Sequence, residues 1–370
     1  MDLVDWRIAQ RIGELIAGTP PFGGVSVKKV EPLAHEFADR VSSYSGLPSP
    51  SSLPPLELVD RSAWIAANLR TMRPLLGRLT QRMDESSGPL AGPLRAASGL
   101  LMGAQVGALT GVLSQRVLGQ YDLALLEENV TPRLLLLAPN LAQAARNLGV
   151  DREELVLWVT IHEITHAVQF SGAPWLREYL GSMISELIDG LQVSVLPDSA
   201  KSGWIPNLPD PAQLRELVER AREGQLLRLT LGEDRWQLVE RMQAAMSLIE
   251  GHAEHTMDVI GGEVLPTLER LRAAMNRRRQ SRGLPWRVLE RLLGLELKLR
   301  QYETGRRFCD AVVAAGGREA LARAWSGPQM LPTPEELEQP LKWLERTASA
   351  ARLEAANSGK YVSKARTDTT

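Results

Sequence analysis

Apolar and polar positions recur with a helical period over most of this chain of 370 residues. Apolar residues spaced three and four apart predict amphipathic helices. In the first half of the chain the predicted helices are Asp2–Ala17, Val30–Ser43, Leu58–Met83, Pro93–Gln120, Leu141–Leu148, Arg152–Phe170 and Trp175–Leu191. After a predicted loop, Pro197–Pro211, they are Pro211–Glu223, Asp234–Ile260, Val264–Arg279 and Trp286–Ala315. The pattern indicates a mainly α protein, α+β at most.

One short segment favours a β-strand. The sequence RLLLLAPN at Arg133–Asn140 is an apolar run closed by Pro-Asn, a combination typical of strands. We expect a small sheet or a single edge strand beside a helical body. An extended peptide can pair with an edge strand, so Leu136, Ala138 and Asn140 are predicted to border a substrate cleft. A core strand without a binding role is an equally open alternative.

Four glycines in the predicted helix Pro93–Gln120 stand at intervals of four residues, namely Gly99, Gly103, Gly107 and Gly111. At this spacing they form one smooth ridge that a second helix can approach closely. The apolar segment Gly99–Leu113 is shorter than the ~20 residues that a bilayer span needs, so we predict a buried helix and no membrane span. The ridge could pack within the chain or across a dimer, which leaves the oligomeric state open.

Composition shifts suggest how the chain is organised. The stretch GLPSPSSLPP at 46–55 is rich in proline and serine and predicts an extended linker. It lies within an N-terminal helical region, residues 1–92, which precedes a larger domain over residues 93–350. Residues 351–370 are polar and weakly patterned, and we expect them to be a disordered tail.

Charge and cysteine content exclude several classes of protein. The chain has 43 basic and 44 acidic residues, a balance that argues against nucleic acid or an anionic membrane as the main partner. Cys309 is the single cysteine, which excludes an intrachain disulfide and a thiolate metal cluster. The N-terminus lacks the basic start and apolar stretch of a signal peptide. These features together predict a cytoplasmic protein.

The candidate chemistry centres on HEITH at 162–166. On a helix, His162 and His166 leave the same face one turn apart, as two ligands of a tetrahedral zinc ion require. Glu163 is displaced around the helix, so it can act as a base beside the metal rather than bind it. Zinc would acidify a water molecule, and Glu163 would take its proton during attack on a carbonyl group.

The third zinc ligand is predicted from the segment SLIEGHAEHTMD at 247–258, which contains two of the five histidines. We interpret Glu250 as this ligand, with Glu254 one turn later holding a ligand imidazole by its other nitrogen. Glu254 and then His252 are the next choices for the ligand. His252 and His255 lie off this face, where either could donate to the oxyanion of a tetrahedral intermediate or simply pack between helices.

Seven stretches, in order along the chain, match a known pattern: VLGQYDLAL (117–125), APN (138–140), HEITHAVQF (162–170), PWL (174–176), IEGHAEHTMD (249–258), LLGLELKLRQYETGRRF (292–308) and LPTPEELEQPLKWLER (331–346). They resemble the bacterial zincin-like metallopeptidases of type 2, some of which are labelled as associated with deazaflavin-coenzyme biosynthesis. The resemblance covers roughly Arg95 to Arg346 and implies a zincin fold with a mainly helical body. The resemblance also adds Tyr302 as a further candidate near the oxyanion, with helix packing as the alternative.

Together these features predict a zinc-dependent hydrolase, most simply a peptidase that binds one zinc ion per chain and acts on a peptide or protein. A zincin scaffold that retains the metal but serves as a binding or maturation partner is an alternative. A structural helical protein with a fortuitous motif is another. The intact Glu163 favours the enzyme, because a scaffold has no need of a base.

Overall fold

The computed structural model describes residues 4–84, 91–125, 130–190, 233–280 and 296–350, without the side chains of 78–84, 91–97, 190, 279–280 and 296–302. The predicted loop at 197–211, the predicted helix at 211–223 and the predicted disordered tail at 351–370 lie outside the described residues. The first ten residues of the predicted helix Trp286–Ala315 do so as well.

The chain is mainly α with a small sheet, as predicted. The α-helices are α1 (Trp6–Ala17), α2 (Ala34–Ser45), α3 (Arg61–Asp84), α4 (Ala91–Ser114), α5 (Ala138–Leu148), α6 (Arg152–Gly172), α7 (Trp175–Gly190), α8 (Glu233–Val264), α9 (Leu268–Gln280), α10 (Glu296–Ala322) and α11 (Pro334–Glu338). Residues 340–350 are also helical. The strands are β1 (Leu56–Val59), β2 (Gly119–Asp122) and β3 (Arg133–Leu137).

The sheet has the order β1-β3-β2. Strand β1 pairs with β3 in parallel and β2 pairs with it antiparallel, so that Leu136 lies opposite Leu58 on one side and Gly119 on the other. The predicted edge strand is therefore wrong: Leu136 lies in the central strand, and its side chain has no exposed surface. Ala138 and Asn140 lie in the first turn of α5 instead of in a strand.

Two predicted helices also extended too far. Leu58–Met83 overlaps the end of β1, and Pro93–Gln120 overlaps the start of β2. Each of these strands has four residues, too few to show a period of two against an adjacent helical pattern. The backbone groups of both strands find their partners in β3, which is distant from β1 in the sequence.

The two faces of the sheet belong to different parts of the core. Leu134 and Leu136 pack with residues of α2, α6 and α8, whereas Leu135 and Leu137 pack with residues of α1, α3 and α4. The division of the chain at residue 92 stays a prediction. The sheet crosses that position, since β1 precedes it and β3 follows it.

The glycine ridge of α4 packs against α1 within the same chain. A β-carbon at Gly107 would lie only 2.3 Å from the carbonyl oxygen of Ala9, and one at Gly103 or Gly111 would lie 2.6 Å from the carbonyl of Asp5 or Gly13. The close approach of a second helix is therefore confirmed. Among the described residues, no helix is both long enough and apolar enough to cross a membrane.

Helix α6 lies at the centre of the larger core cluster. It begins at the N-cap Asp151, whose side chain accepts a hydrogen bond from the backbone N–H of Glu154 at 2.9 Å, as capping aspartates do. It then packs against α2, α5, α8 and strand β2. Because neighbours surround α6, most of its polar side chains need partners inside the protein.

The α1–α4 contact provides the first testable prediction. Gly107→Ala places a methyl group on the backbone of Ala9, so we expect a loss of about 1–3 kcal/mol in the free energy of unfolding, measured by urea denaturation. Gly77→Ala is the matched control, because nothing lies within 4 Å of a β-carbon there. That helical variant should gain up to ~1 kcal/mol. Equal stability of the two variants would contradict the close packing.

Candidate metal centre

The two histidines of α6 point their Nε2 atoms toward each other. His162 and His166 lie one helical turn apart, and their Nε2 atoms are 3.2 Å from each other. The rings are close to perpendicular, at 87°, with their centroids 4.7 Å apart. The imidazole side chains are 20% and 11% exposed, so the pair lies just beneath the surface.

Helix α8 brings a carboxylate to the same point. Glu250 Oε2 lies 3.6 Å from the Nε2 atom of His162 and 3.6 Å from that of His166. In the described part of the chain, these three residues form the only group of three or more His, Cys, Asp or Glu side chains whose potential ligand atoms converge in this way. The structure thus brings the three residues predicted as ligands together.

The three distances fit a zinc ion. A triangle with sides of 3.2, 3.6 and 3.6 Å has its corners about 2.0 Å from a common centre, which matches the length of a Zn–N or Zn–O bond. Two imidazoles and one carboxylate are also the ligand set of catalytic zinc sites, which leave the fourth position for water. The residues present therefore fit a zinc ion.

The electrostatics of the cluster show how strongly these three groups depend on one another. Burial opposes a charged imidazole, but the nearby Glu250 carboxylate prevails and raises the pKa of His166 to about 9. Burial likewise opposes the charged form of Glu250, but His166 and His162 prevail and hold the pKa of this carboxyl group well below its usual range. The cluster is thus built to keep Glu250 ionised beside a positive charge.

Glycine contacts between α8 and α10 help to place Glu250. A β-carbon at Gly251 would lie 2.1 Å from the carbonyl carbon of Gly305, and one at Gly305 would lie 1.8 Å from the carbonyl oxygen of Ser247. Only glycine allows this backbone approach. Gly251 directly follows Glu250, so the helix crossing determines how near α8 and its carboxylate lie to α6.

A fully buried amide, Gln169, joins the two ligand helices. Its Oε1 lies 2.8 Å from His166 Nδ1, and its Nε2 donates to the carbonyl of Ile249 at 2.9 Å and lies 2.9 Å from His252 Nδ1. Because an amide oxygen can only accept, Nδ1 of His166 carries a proton. Loss of the other proton on zinc binding would leave the Nε2 lone pair directed toward the proposed metal position.

His252 fits this network as a neutral imidazole. Burial, assisted by the nearby His255, lowers the pKa of His252 to about 3. A neutral ring whose Nδ1 accepts from Gln169 carries its proton on Nε2, which faces the hydroxyl of Thr256 at 3.5 Å. Trp325 packs edge-on against the ring. His252 therefore supports Gln169 from the interior.

The side chain of Glu163 extends from α6 to the outer edge of β2. Its Oε2 accepts a hydrogen bond from the backbone N–H of Tyr121 at 2.7 Å. A β-carbon at Gly119 would lie 2.7 Å from Oε1 of the same carboxylate, so glycine is needed where the strand passes the base. Burial raises the pKa of Glu163, and His162 and His166 offset only part of this effect.

His255 and Glu254 are outside the group of converging ligand atoms. His255 is held between the hydroxyl of Tyr44 and the carboxylate of Asp310, each 2.6 Å away. Glu254 is buried one turn beyond Glu250 and is not part of the converging group. The side chain of Tyr302 lies outside the described residues. The oxyanion roles proposed for His252, His255 and Tyr302 stay predictions.

Asn140 serves the fold. Its amide nitrogen donates to the carbonyls of Ser114 and Val117 at 2.7 and 2.6 Å, and its oxygen accepts from Arg61 at 2.8 Å. These bonds satisfy carbonyls in and just after the last turn of α4, next to the start of β2. Leu136 and Ala138 are buried beside it, so we find no contact that would place these three residues in a cleft.

Sequence reasoning missed two contacts of the site. It assigned the support of a ligand imidazole to Glu254, whereas the observed partner of His166 is Gln169. The spacing was informative, since Gln169 follows His166 by three residues and so lies on the same helix face. The second contact is the hydrogen bond from the Tyr121 N–H to Glu163, and no local pattern links these two residues.

A helix with two histidines and an intervening glutamate, completed by a glutamate from a second helix, is a group that could hold a metal ion and is the ligand arrangement of some zinc hydrolases. The chain belongs to the zincin-like metallopeptidase family, whose model matches residues 4–344. The match therefore extends well N-terminal to Arg95, where the resemblance in the sequence began.

Comparison with solved structures shows a similar protein from Chloroflexus aurantiacus, described as "a putative hydrolase with a novel fold". It is 28% identical, and the superposition has a TM-score of 0.64 and covers 93% of this chain and 99% of the other. Among curated proteins, none matches the chain.

The Gln169 network leads to a prediction about metal affinity. Gln169→Leu removes the acceptor for His166 Nδ1, so we expect zinc to bind about 10- to 100-fold more weakly, measured by competition with a chromophoric chelator. Gln169→Glu keeps the acceptor for His166 but loses the donor to the Ile249 carbonyl, so it should weaken zinc binding less than Gln169→Leu does.

Thr160→Val is the matched control, because Thr160 is a buried α6 residue whose hydroxyl bonds only within the helix, to Val156. It should lose stability without losing zinc affinity. Wild-type affinity in a folded Gln169→Leu protein would show that the amide does not position His166.

Proposed function

We propose that the protein is a zinc-dependent peptidase, in which His162, His166 and Glu250 hold the metal and Glu163 is the general base. The observation that carries the proposal is the convergence of three potential ligand atoms at distances suited to zinc. The buried carboxylate of Glu163 directly follows the ligand His162 on the same helix. Family membership supports the same class of activity.

When bound, zinc supplies a Lewis acid that lowers the pKa of a water molecule toward neutrality. Glu163 is the group in the chain suited to accept the proton, since its helix position is adjacent to His162 but turned away from the ligand face. Its raised pKa favours holding that proton until the leaving amine needs it. The Tyr121 N–H keeps the carboxylate oriented throughout.

The alternative is a metal-retaining scaffold that acts as a binding or maturation partner. Such a scaffold would not need Glu163 as a base. A carboxylate that is 5% exposed is costly to bury unless it has a task or ample partners. The cost favours a catalytic role. The peptide or protein nature of the substrate is inferred from the family, and the cytoplasmic location stays a prediction.

The test is Glu163→Gln. Glutamine can still accept the Tyr121 N–H, so the fold and zinc content should be retained while the base is lost. We expect hydrolysis of a peptide library, followed by mass spectrometry, to fall by about 10²- to 10⁴-fold. Glu153→Gln is the control on the same helix, because Glu153 is an exposed residue paired with Lys29, and its activity should not change.

Hydrolysis that persists in zinc-loaded Glu163→Gln would remove Glu163 from the mechanism. A wild-type protein that binds zinc but cleaves no peptide in the library would favour the scaffold.

A further inference from the structure

A cavity of about 420 Å³ is lined in part by residues that follow the candidate metal centre along α6. One wall is formed by α6, where Ala167, Phe170 and Ser171 follow Glu163 by four, seven and eight residues. These spacings place all three on the helix face of Glu163. The cavity thus begins one turn after Glu163, and Phe170 also follows His166 by four residues, which places it on the helix face of the two histidines.

A residue of strand β2, Tyr121, contacts both Glu163 and the cavity. Tyr121 donates its backbone N–H to the Glu163 carboxylate, and its side chain lines the cavity. The Tyr121 ring stacks on Phe170, with centroids 6.0 Å apart and planes inclined by 30°. Tyr121 therefore orients the base through its backbone and forms part of the aromatic wall through its ring.

A second wall comes from the proline-rich segment 46–55. Pro50, Leu53, Pro54 and Pro55 line the cavity. The segment is anchored on α6, because a β-carbon at Gly172 would lie 3.0 Å from Leu47 Cβ, and Leu47 is buried. Prolines restrict the backbone, so this wall is preformed and needs little ordering when a ligand binds.

The chemistry of the walls defines what the cavity would accept. Aromatic, aliphatic and proline surfaces favour a large apolar group. Among the described residues that line the cavity, Arg177 is the charged one; one of its amino groups donates to the carbonyl of Ala124 at 2.7 Å. A guanidinium at this wall disfavours a cationic group nearby. The volume is at the low end of ligand pockets, as suits one or two side chains.

We propose that this cavity is a specificity pocket, which receives a large apolar or aromatic side chain of the substrate next to the scissile amide and excludes lysine and arginine. The proposal rests on the proposed function, since the amide is positioned by the metal centre. It assigns to the proline-rich segment the role of a substrate-binding wall.

Binding can be measured without catalysis. The probes are peptide hydroxamates, which bind zinc through the hydroxamate and carry one variable side chain R two bonds beyond it. On the zinc-loaded protein, calorimetry should show the benzyl compound binding at least about tenfold more tightly than the methyl compound, because its ring is removed from water. Equal affinities would overturn the pocket.

Ser171→Trp fills the cavity from an exposed position on its rim. This variant should bind benzyl and methyl compounds equally while keeping the wild-type affinity for methyl. Ser182→Trp is the matched control, since Ser182 is also an exposed helical serine that donates to the carbonyl three residues earlier. A benzyl preference that survives Ser171→Trp would place the side chain elsewhere.

Charge selection is tested separately with pentyl and 4-aminobutyl compounds, which have the same number of heavy atoms. Wild type should prefer pentyl by about tenfold or more, and Arg177→Gln should reduce that preference. An unchanged preference would remove Arg177 from the proposal.

Cleavage assays then separate the two proposals. Side-chain selectivity among the hydroxamates without cleavage of any peptide would leave the pocket intact and contradict the peptidase. Cleavage with no preference for the side chains next to the scissile bond would support the peptidase and contradict the specificity pocket.

Discussion

The structure depends on bringing three side-chain atoms from two helices to one point. His162 and His166 need only a regular helix, but Glu250 must arrive from α8 within 3.6 Å of both. Two contacts set that distance. The glycines at 251 and 305 let α8 and α10 meet backbone to backbone, and Gln169 ties α6 to the carbonyl of Ile249, the residue before Glu250. A displacement of about 1 Å would spoil the geometry that zinc requires.

Features that repeat along one helix were predictable from the sequence. The shared face of His162 and His166, the offset of Glu163 and the ridge of Gly103, Gly107 and Gly111 all follow from 3.6 residues per turn. Glu250 was reached by a different route, from the clustering of four of the five histidines in two segments. The family model confirms that the chain is a zincin-like metallopeptidase.

Contacts between segments distant in the sequence could not be predicted in this way. The predicted helices included half of β1 and half of β2 because four residues carry little periodicity, and the positions of both strands are determined by pairing with β3. The edge beside Glu163 belongs to β2, whose first two residues had been interpreted as the end of a helix. The segment at 46–55 resembled a linker in composition, yet it forms a wall of a cavity beside α6. The prolines of this segment predict an extended backbone, but they do not predict which part of the protein that backbone contacts.

The most direct measurement is zinc per chain by elemental mass spectrometry, on full-length protein purified without an affinity-tag metal. We predict about one zinc ion in the wild type and loss of most of it in folded His162→Ala and Glu250→Ala proteins. His35→Ala should keep its zinc, because His35 is exposed on α2. Wild-type zinc content in Glu250→Ala, or a wild-type protein that takes up no zinc when it is resupplied, would contradict the site described above.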